Sequence, residues 1–270
     1  MVNIMGYKLV FSDLDETLLV GQNVPEINKL AIDKLDKGQF VICTGRPYET
    51  AYPILKQLDV YNQKGEYSIL LNGGLIIENK DRRMIRMQGL DHKDVRMLME
   101  YARDLDVCVM AFSADDIYMF NASQEEIDRK IEQKAKFKII DDYDIDVLNN
   151  QTIIKIIYQK CDMDRLMSIK EEMGTMIDHL QVSFSSYRYL EFNHPDVSKG
   201  EAMLYLASYL NVKRDEVIAI GDNYNDISML KVAGLGVCVG DGIIKEYADY
   251  ICENGYKDGA VKEVIEKFML

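Results

Sequence analysis

Two aspartates one residue apart, Asp13 and Asp15, lie in the segment Phe11-Ser12-Asp13-Leu14-Asp15-Glu16-Thr17. Paired carboxylates can hold a divalent cation or divide acid and base duty between them. Taken out of water, two charged carboxylates so close repel each other unless a cation sits between them or one keeps a proton. In a solvated turn the same spacing is ordinary loop chemistry, so the pair needs company before it counts as a site.

Three later segments supply that company. Thr44-Gly45-Arg46-Pro47 offers a hydroxyl and helix-start N–H groups, which suit a phosphate oxygen, although a threonine ahead of a proline also simply begins a helix. Ser198-Lys199-Gly200-Glu201 puts a lysine in the first turn of a helix, against the helix dipole. A nearby anion would remove that misfit; a solvated surface lysine is the plainer alternative. Gly221-Asp222-Asn223-Tyr224-Asn225-Asp226 brings two more acids and two amides. Asp222 suits a third cation ligand and Asp226 a supporting place that also caps a helix, while Gly-Asp-Asn is equally common in turns.

Short apolar runs at 7–11, 40–43, 68–71, 217–220 and 236–239 predict buried strands, with helices over 27–36 and 48–58 between the early ones. That alternation implies parallel βαβ units with helices on both faces of a sheet, which binds ligands at its carboxyl edge. Each polar cluster follows such a strand or opens a helix, so all four can converge on one edge. Asn72-Gly73 predicts a hairpin turn with positive φ at both residues. Between 83 and 189 the pattern changes to helices at 91–106, 123–134 and 162–173 and strands at 107–112, 117–120, 152–158, 180–184 and 189–192. The expected fold is therefore α/β: a Rossmann-like parallel-sheet core domain from 1–82 and 190–270, with an inserted α+β domain at 83–189.

Composition narrows the partners. With 45 acidic against 32 basic residues the net charge is −13, which repels nucleic acid and anionic membranes, so neither is an expected partner. No apolar run reaches the roughly 18 residues of a membrane span. Cys43, Cys108, Cys161, Cys238 and Cys252 are scattered without a C-x-x-C pair, as in a reducing cytoplasm, the expected location. His92, His179 and His194 have no metal-ligand spacing. Gly234 to Gly240 misses the dinucleotide glycine pattern, and no Walker sequence occurs.

Taken together, Asp13-Leu14-Asp15-Glu16-Thr17, Thr44-Gly45-Arg46, Lys199-Gly200 and Gly221-Asp222-Asn223-Tyr224-Asn225-Asp226 resemble the haloacid dehalogenase superfamily, in particular its Cof-type phosphatases of subfamily IIB. Asn72-Gly73-Gly74 and Asp258-Gly259-Ala260 also look like that family's pattern. The resemblance implies a phosphatase acting on small phosphorylated metabolites, such as sugar phosphates or phosphorylated cofactors, through an aspartyl-phosphate. In it Asp13 is the nucleophile and Asp15 the acid and base. Asp13, Asp15 (through its backbone carbonyl) and Asp222 hold Mg²⁺ with Asp226 in support, and Thr44, Gly45, Lys199 and Asn225 hold the phosphoryl group. The inserted domain is expected to be a C2B-type cap that selects the substrate, with Tyr118, Tyr187 and Tyr189 as candidate contacts or plain core residues. The molecule is expected to be a monomer or a weak homodimer. A phosphomutase and a non-catalytic phosphate-ester-binding regulator are the alternatives. Two departures stand out: Glu16 occupies a place where the family usually has glycine, and Asp241-Gly242 one where Asn-Ala is usual.

Overall fold

The first apolar run forms strand β1 (Leu9–Ser12), every residue of which is buried, as expected of a strand covered on both faces. A computed structural model describes residues 6–36, 38–240 and 243–270; the Asp241-Gly242 pair lies outside the described residues. After β1 come α1 (Glu26–Ile32), β2 (Gln39–Cys43), α2 (Tyr48–Gln57), β3 (Tyr67–Leu70), β4 (Leu75–Glu78) and β5 (Arg83–Met87). Next are α3 (His92–Ala102), β6 (Cys108–Phe112), β7 (Ile117–Phe120), α4 (Gln124–Glu132), β8 (Phe137–Ile139), β9 (Lys155–Gln159), α5 (Met163–Met173), β10 (Gln181–Ser185) and β11 (Tyr189–Asn193). The chain closes with α6 (Lys199–Tyr209), β12 (Val217–Gly221), α7 (Ile227–Val232), β13 (Leu235–Cys238), β14 (Tyr250–Ile251) and α8 (Ala260–Phe268).

Two sheets result. The first has the order β14-β13-β12-β1-β2-β3-β4-β5. Its centre is parallel: β1 lies between β2 and β12, with Phe11 opposite Val41 and Ala219. Strand order reverses on either side of β1, and loops at the carboxyl ends of β1, β2 and β12 therefore leave the sheet side by side. Leu9, Phe11, Val41 and Ile69 pack under Met203 and Leu206 of α6 and Leu230 of α7. The hairpin anticipated at Asn72-Gly73 joins antiparallel β3 and β4. Both residues have positive φ, but the connection spans 71–74 because Leu71 also turns left-handed.

The second sheet has the order β10-β11-β9-β6-β7-β8 and is antiparallel except where α4 carries β7 over to parallel β8. Tyr158, Phe192 and Phe120 pack with Leu98 of α3 and Leu166 of α5 on its apolar face. These sheets belong to two compact units, one of residues 1–45, 52–86 and 198–270, the other of 46–51 and 87–197. The boundaries differ from those read in the sequence at both ends. β5 extends the first sheet beyond β4, and β11, which the boundary at 189/190 would cut, pairs along its full length with β9 and β10. Charged β5, which reads Arg-Met-Ile-Arg-Met, lacks an apolar run, and the short strands β8 and β14 also fall outside the predicted ones. Among the described residues no helix is long and apolar enough to cross a membrane.

Candidate active site

At the end of β1 the backbone N–H of Asp13 still donates to the Ile220 carbonyl of β12, at 3.0 Å. This fixes the first carboxylate beside the second acidic loop. Lys199, the first residue of α6, is 1% exposed. Its ammonium donates to Asp13 Oδ1 at 2.6 Å and to Asp226 Oδ1 at 2.5 Å. Ser198 caps the helix by accepting from the Glu201 N–H, so the lysine is free to turn inward. The misfit of a first-turn cation is thus resolved by two carboxylates.

Asp226 is fully buried and both its oxygens are used. Its Oδ2 accepts from the backbone N–H groups of Asp222 and Asn223, each at 3.1 Å, which wraps the loop after β12 around it. Gly221 makes this possible, because a Cβ there would sit 2.4 Å from the Asp226 Cβ. Asp222 accepts from the Thr17 hydroxyl at 2.6 Å through Oδ1. Thr17 closes the first motif, and its hydroxyl links the loops after β1 and β12 and orients Asp222. The spacing Asp-x-Asp-x-Thr contains no signal for that contact, which exists only through the pairing of the two strands.

Carboxylate oxygens of Asp13, Asp222 and Asp226 lie within 4.8 Å of one another. Burial pushes the Asp13 carboxyl up to about 7; Lys199 opposes the rise, and Asp226 and Asp15 add to it. Burial likewise pushes Asp222 up to about 8, with Asp13 and Asp226 contributing and the Thr17 hydroxyl opposing. Burial disfavours the charged Lys199, yet Asp13 and Asp226 outweigh it and hold the ammonium well above its usual range. Three acids around one ammonium leave an excess of negative charge in a desolvated place. An all-oxygen donor set with such an excess fits a hard divalent cation. Asp226, with both oxygens committed, fits the supporting place, while Asp13 and Asp222 are the natural direct ligands.

The remaining sequence candidates distribute as follows. Asp15 has its side chain exposed next to the cluster in sequence, outside the triad of buried acids. Thr44 is 1% exposed; its backbone N–H donates to Ile69 and its carbonyl accepts from Asn72. Asn225 donates from its amide to Asn72 Oδ1 at 3.3 Å. Gly45 lies against the same Asn72 side chain. Glu16 is exposed and adopts φ 57°, the left-handed conformation that glycine takes without strain. Its departure from the family pattern is thereby a backbone matter, and no charge is buried. In the second unit Tyr118 packs in the apolar core, Tyr189 is buried with its hydroxyl on Glu126, and Tyr187 is 76% exposed. The histidines take no part in the acidic cluster: His179 pairs with Asp94, and His194 accepts from the Asp196 N–H.

A family model for haloacid dehalogenase-like hydrolases matches residues 10–265. The chain belongs to this family. Two Bacillus subtilis relatives, the 5-amino-6-(5-phospho-D-ribitylamino)uracil phosphatases YcsE and YitU, are each 26% identical to it. The alignments cover 95% and 97% of this chain and 94% and 98% of theirs. A solved haloacid dehalogenase-like hydrolase from Bacteroides thetaiotaomicron superposes with a TM-score of 0.83 at 27% identity, covering 97% of this chain and 99% of that one. Another, from B. subtilis, gives 0.86 at 22% identity over 96% and 99%, a likeness of fold. The haloacid dehalogenase-like chain is thus an enzyme, a hydrolase of the phosphatase type.

Proposed function

We propose that this hydrolase is a Mg²⁺-dependent phosphatase of small phosphorylated metabolites that works through a phosphoryl group carried on Asp13. The observation that carries the reading is the Lys199 ammonium bridging Asp13 and Asp226, with Asp222 beside them. Phosphate-monoester hydrolysis is among the slowest uncatalysed reactions, so its catalyst must concentrate positive charge on the phosphoryl oxygens. Mg²⁺, held by Asp13, Asp222 and the Asp15 carbonyl with Asp226 behind them, would supply charge that lets an anionic carboxylate approach an anionic ester.

The chain's own residues divide the rest. Lys199 keeps Asp13 oriented and lends a second positive charge to the phosphoryl oxygens. An oxygen of Asp13 attacks phosphorus, the ester P–O bond breaks, and Asp15 gives its proton to the departing alkoxide. Asp15, now ionised, takes a proton from water, whose oxygen attacks phosphorus; the Asp13–phosphorus bond breaks and inorganic phosphate leaves. Exposure of the Asp15 side chain suits a group that must exchange protons with substrate and water in turn. Thr44, Gly45 and Asn225 supply hydroxyl and N–H donors to the phosphoryl oxygens. The domain inserted at 83–189, most of which lies in the second unit, acts as the cap that selects the organic part of the substrate. YcsE and YitU, whose named substrate carries a phosphorylated ribityl group on a uracil, support small phosphorylated metabolites such as sugar phosphates or phosphorylated cofactors as the class.

A panel of phosphorylated metabolites together with an aryl phosphate, assayed with Mg²⁺ and with chelator, tests the proposal. Phosphate release that needs Mg²⁺ and disappears in Asp13→Asn supports it. Transfer of the phosphoryl group to a sugar hydroxyl with no release would make the enzyme a mutase, and binding without turnover a regulator.

A further inference from the structure

Asn72 sits in the turn between β3 and β4 and is 5% exposed, with φ 59°. Its backbone N–H donates to the Thr44 carbonyl at 3.0 Å, and its side-chain oxygen accepts from the Asn225 amide at 3.3 Å. The same oxygen lies 2.8 Å from where a Cβ on Gly45 would stand. One residue therefore ties together the loops after β2, β3 and β12. We propose that Asn72 is a positioning residue for the phosphoryl group, acting through Asn225. This rests on the reading of Asn225 as a phosphoryl donor given above.

The physical need follows from the symmetry of an amide. Turned by half a rotation, a primary amide presents a carbonyl oxygen where it presented an N–H, and toward an anion the first repels while the second binds. Asn72 Oδ1 accepts a hydrogen bond and so makes one of the two orientations of Asn225 favourable, the one with its nitrogen on this side of the amide. A nitrogen carries two hydrogens; with one committed to Asn72, the other remains to serve a phosphoryl oxygen. Gly45 is then glycine because Asn72 occupies the place of its side chain, in addition to any N–H it offers. The left-handed backbone explains why asparagine suits the position, since it tolerates this region and still carries an acceptor.

Asn72→Gly keeps the left-handed backbone and the N–H to Thr44 while deleting the acceptor. It is expected to lower kcat/KM for an aryl phosphate about tenfold, to weaken inhibition by inorganic phosphate by a similar factor, and to leave the melting temperature within a few degrees. Repeating the substitution in Asn225→Ala protein decides the route: once Asn225 is gone, the second loss should cost less than twofold. An equal tenfold loss in both backgrounds overturns the proposal, as does an Asn72→Gly enzyme with unchanged kcat/KM and phosphate inhibition. If Asn72→Gly does not fold, Asn72→Ser, whose shorter side chain does not reach Asn225, takes its place in the same cycle with the same expected and opposing outcomes. A wild-type protein that releases no phosphate, or an Asn225→Ala enzyme as active as wild type, marks failure of the underlying functional reading instead.

Discussion

Both compact units bury charge, and they do so in different proportion. In the second unit Lys155 pairs with Glu191 at 3.0 Å and Lys130 with Glu126 at 2.9 Å, one cation to each anion, with all four residues at most 6% exposed. In the first, one ammonium faces Asp13 and Asp226 while Asp222 crowds in beside them. In each of these pairs one charge is matched by one opposite charge. An unbalanced cluster keeps two carboxyls displaced upward and gains from added positive charge, which fits the cation proposed for it. Stoichiometry, more than burial, separates the charge proposed to be catalytic from the paired charge of the second unit.

The largest expected effect is on the catalytic side of this contrast. Asp13→Asn keeps shape and removes the attacking oxygen's charge, so phosphate release should fall by at least about 10⁴-fold in a continuous aryl phosphate assay. Asn in place of Asp222 should instead weaken Mg²⁺ binding, seen as a rightward shift of the metal-activation curve.

Lysine removal sharpens the comparison next. Lys199→Met strands two buried carboxylates and should cost stability of about 3–5 kcal/mol in urea unfolding of the metal-free protein, as well as activity. Lys155→Met should cost a similar amount of stability, but pairing it with Glu191→Leu should restore much of it, because an ion pair replaced on both sides leaves no buried charge unpaired. No such double replacement can restore function at Lys199.

pH supplies a third lever. Asp13 rises from 3.8 to about 7 and Asp222 from 3.8 to about 8, so the folded chain binds more protons than the unfolded one across that window. Unfolding free energy of the metal-free protein therefore falls as pH rises from about 4 to about 8. Melting curves without divalent cations should show this decline, and added Mg²⁺ should raise the melting temperature more at the alkaline end of the window than at the acid end. A flat profile, or equal stabilisation throughout, would show that these acids do not carry the excess charge.

The smallest effect concerns Glu16. Its left-handed backbone stores about 1–2 kcal/mol that glycine would release, offset by the greater freedom of glycine in the unfolded chain, about 0.4–1 kcal/mol. Glu16→Gly should therefore stabilise by no more than about 1.6 kcal/mol, with kcat nearly unchanged.

How much of this was legible beforehand depends on the kind of residue. The strands carrying Asp13, Thr44 and Asp222 are short apolar runs, and β1, β2 and β12 lie within a residue or two of where hydrophobicity puts them. Each acid or hydroxyl then follows at a strand's carboxyl end, which a one-dimensional reading can see. Contacts between motifs are a different matter. Thr17 reaches Asp222 across 205 positions, and Asn72 reaches Asn225 across 153, and nothing in local spacing encodes such pairings. The commitment of both Asp226 oxygens also needed coordinates, because it depends on the loop closing over a glycine. β5 carries no apolar run, because Arg83 and Arg86 break it, and the left-handed backbone of Glu16 has no local signal beyond the unusual residue itself.

The most direct test of the account uses Asp15→Asn protein, in which the second half of the reaction lacks its base. Mixed with Mg²⁺ and an aryl phosphate, quenched in acid and read by mass spectrometry of its peptides, it should carry one phosphoryl group on Asp13. No adduct despite aryl alcohol release, or an adduct on another residue, would contradict Asp13 as the nucleophile.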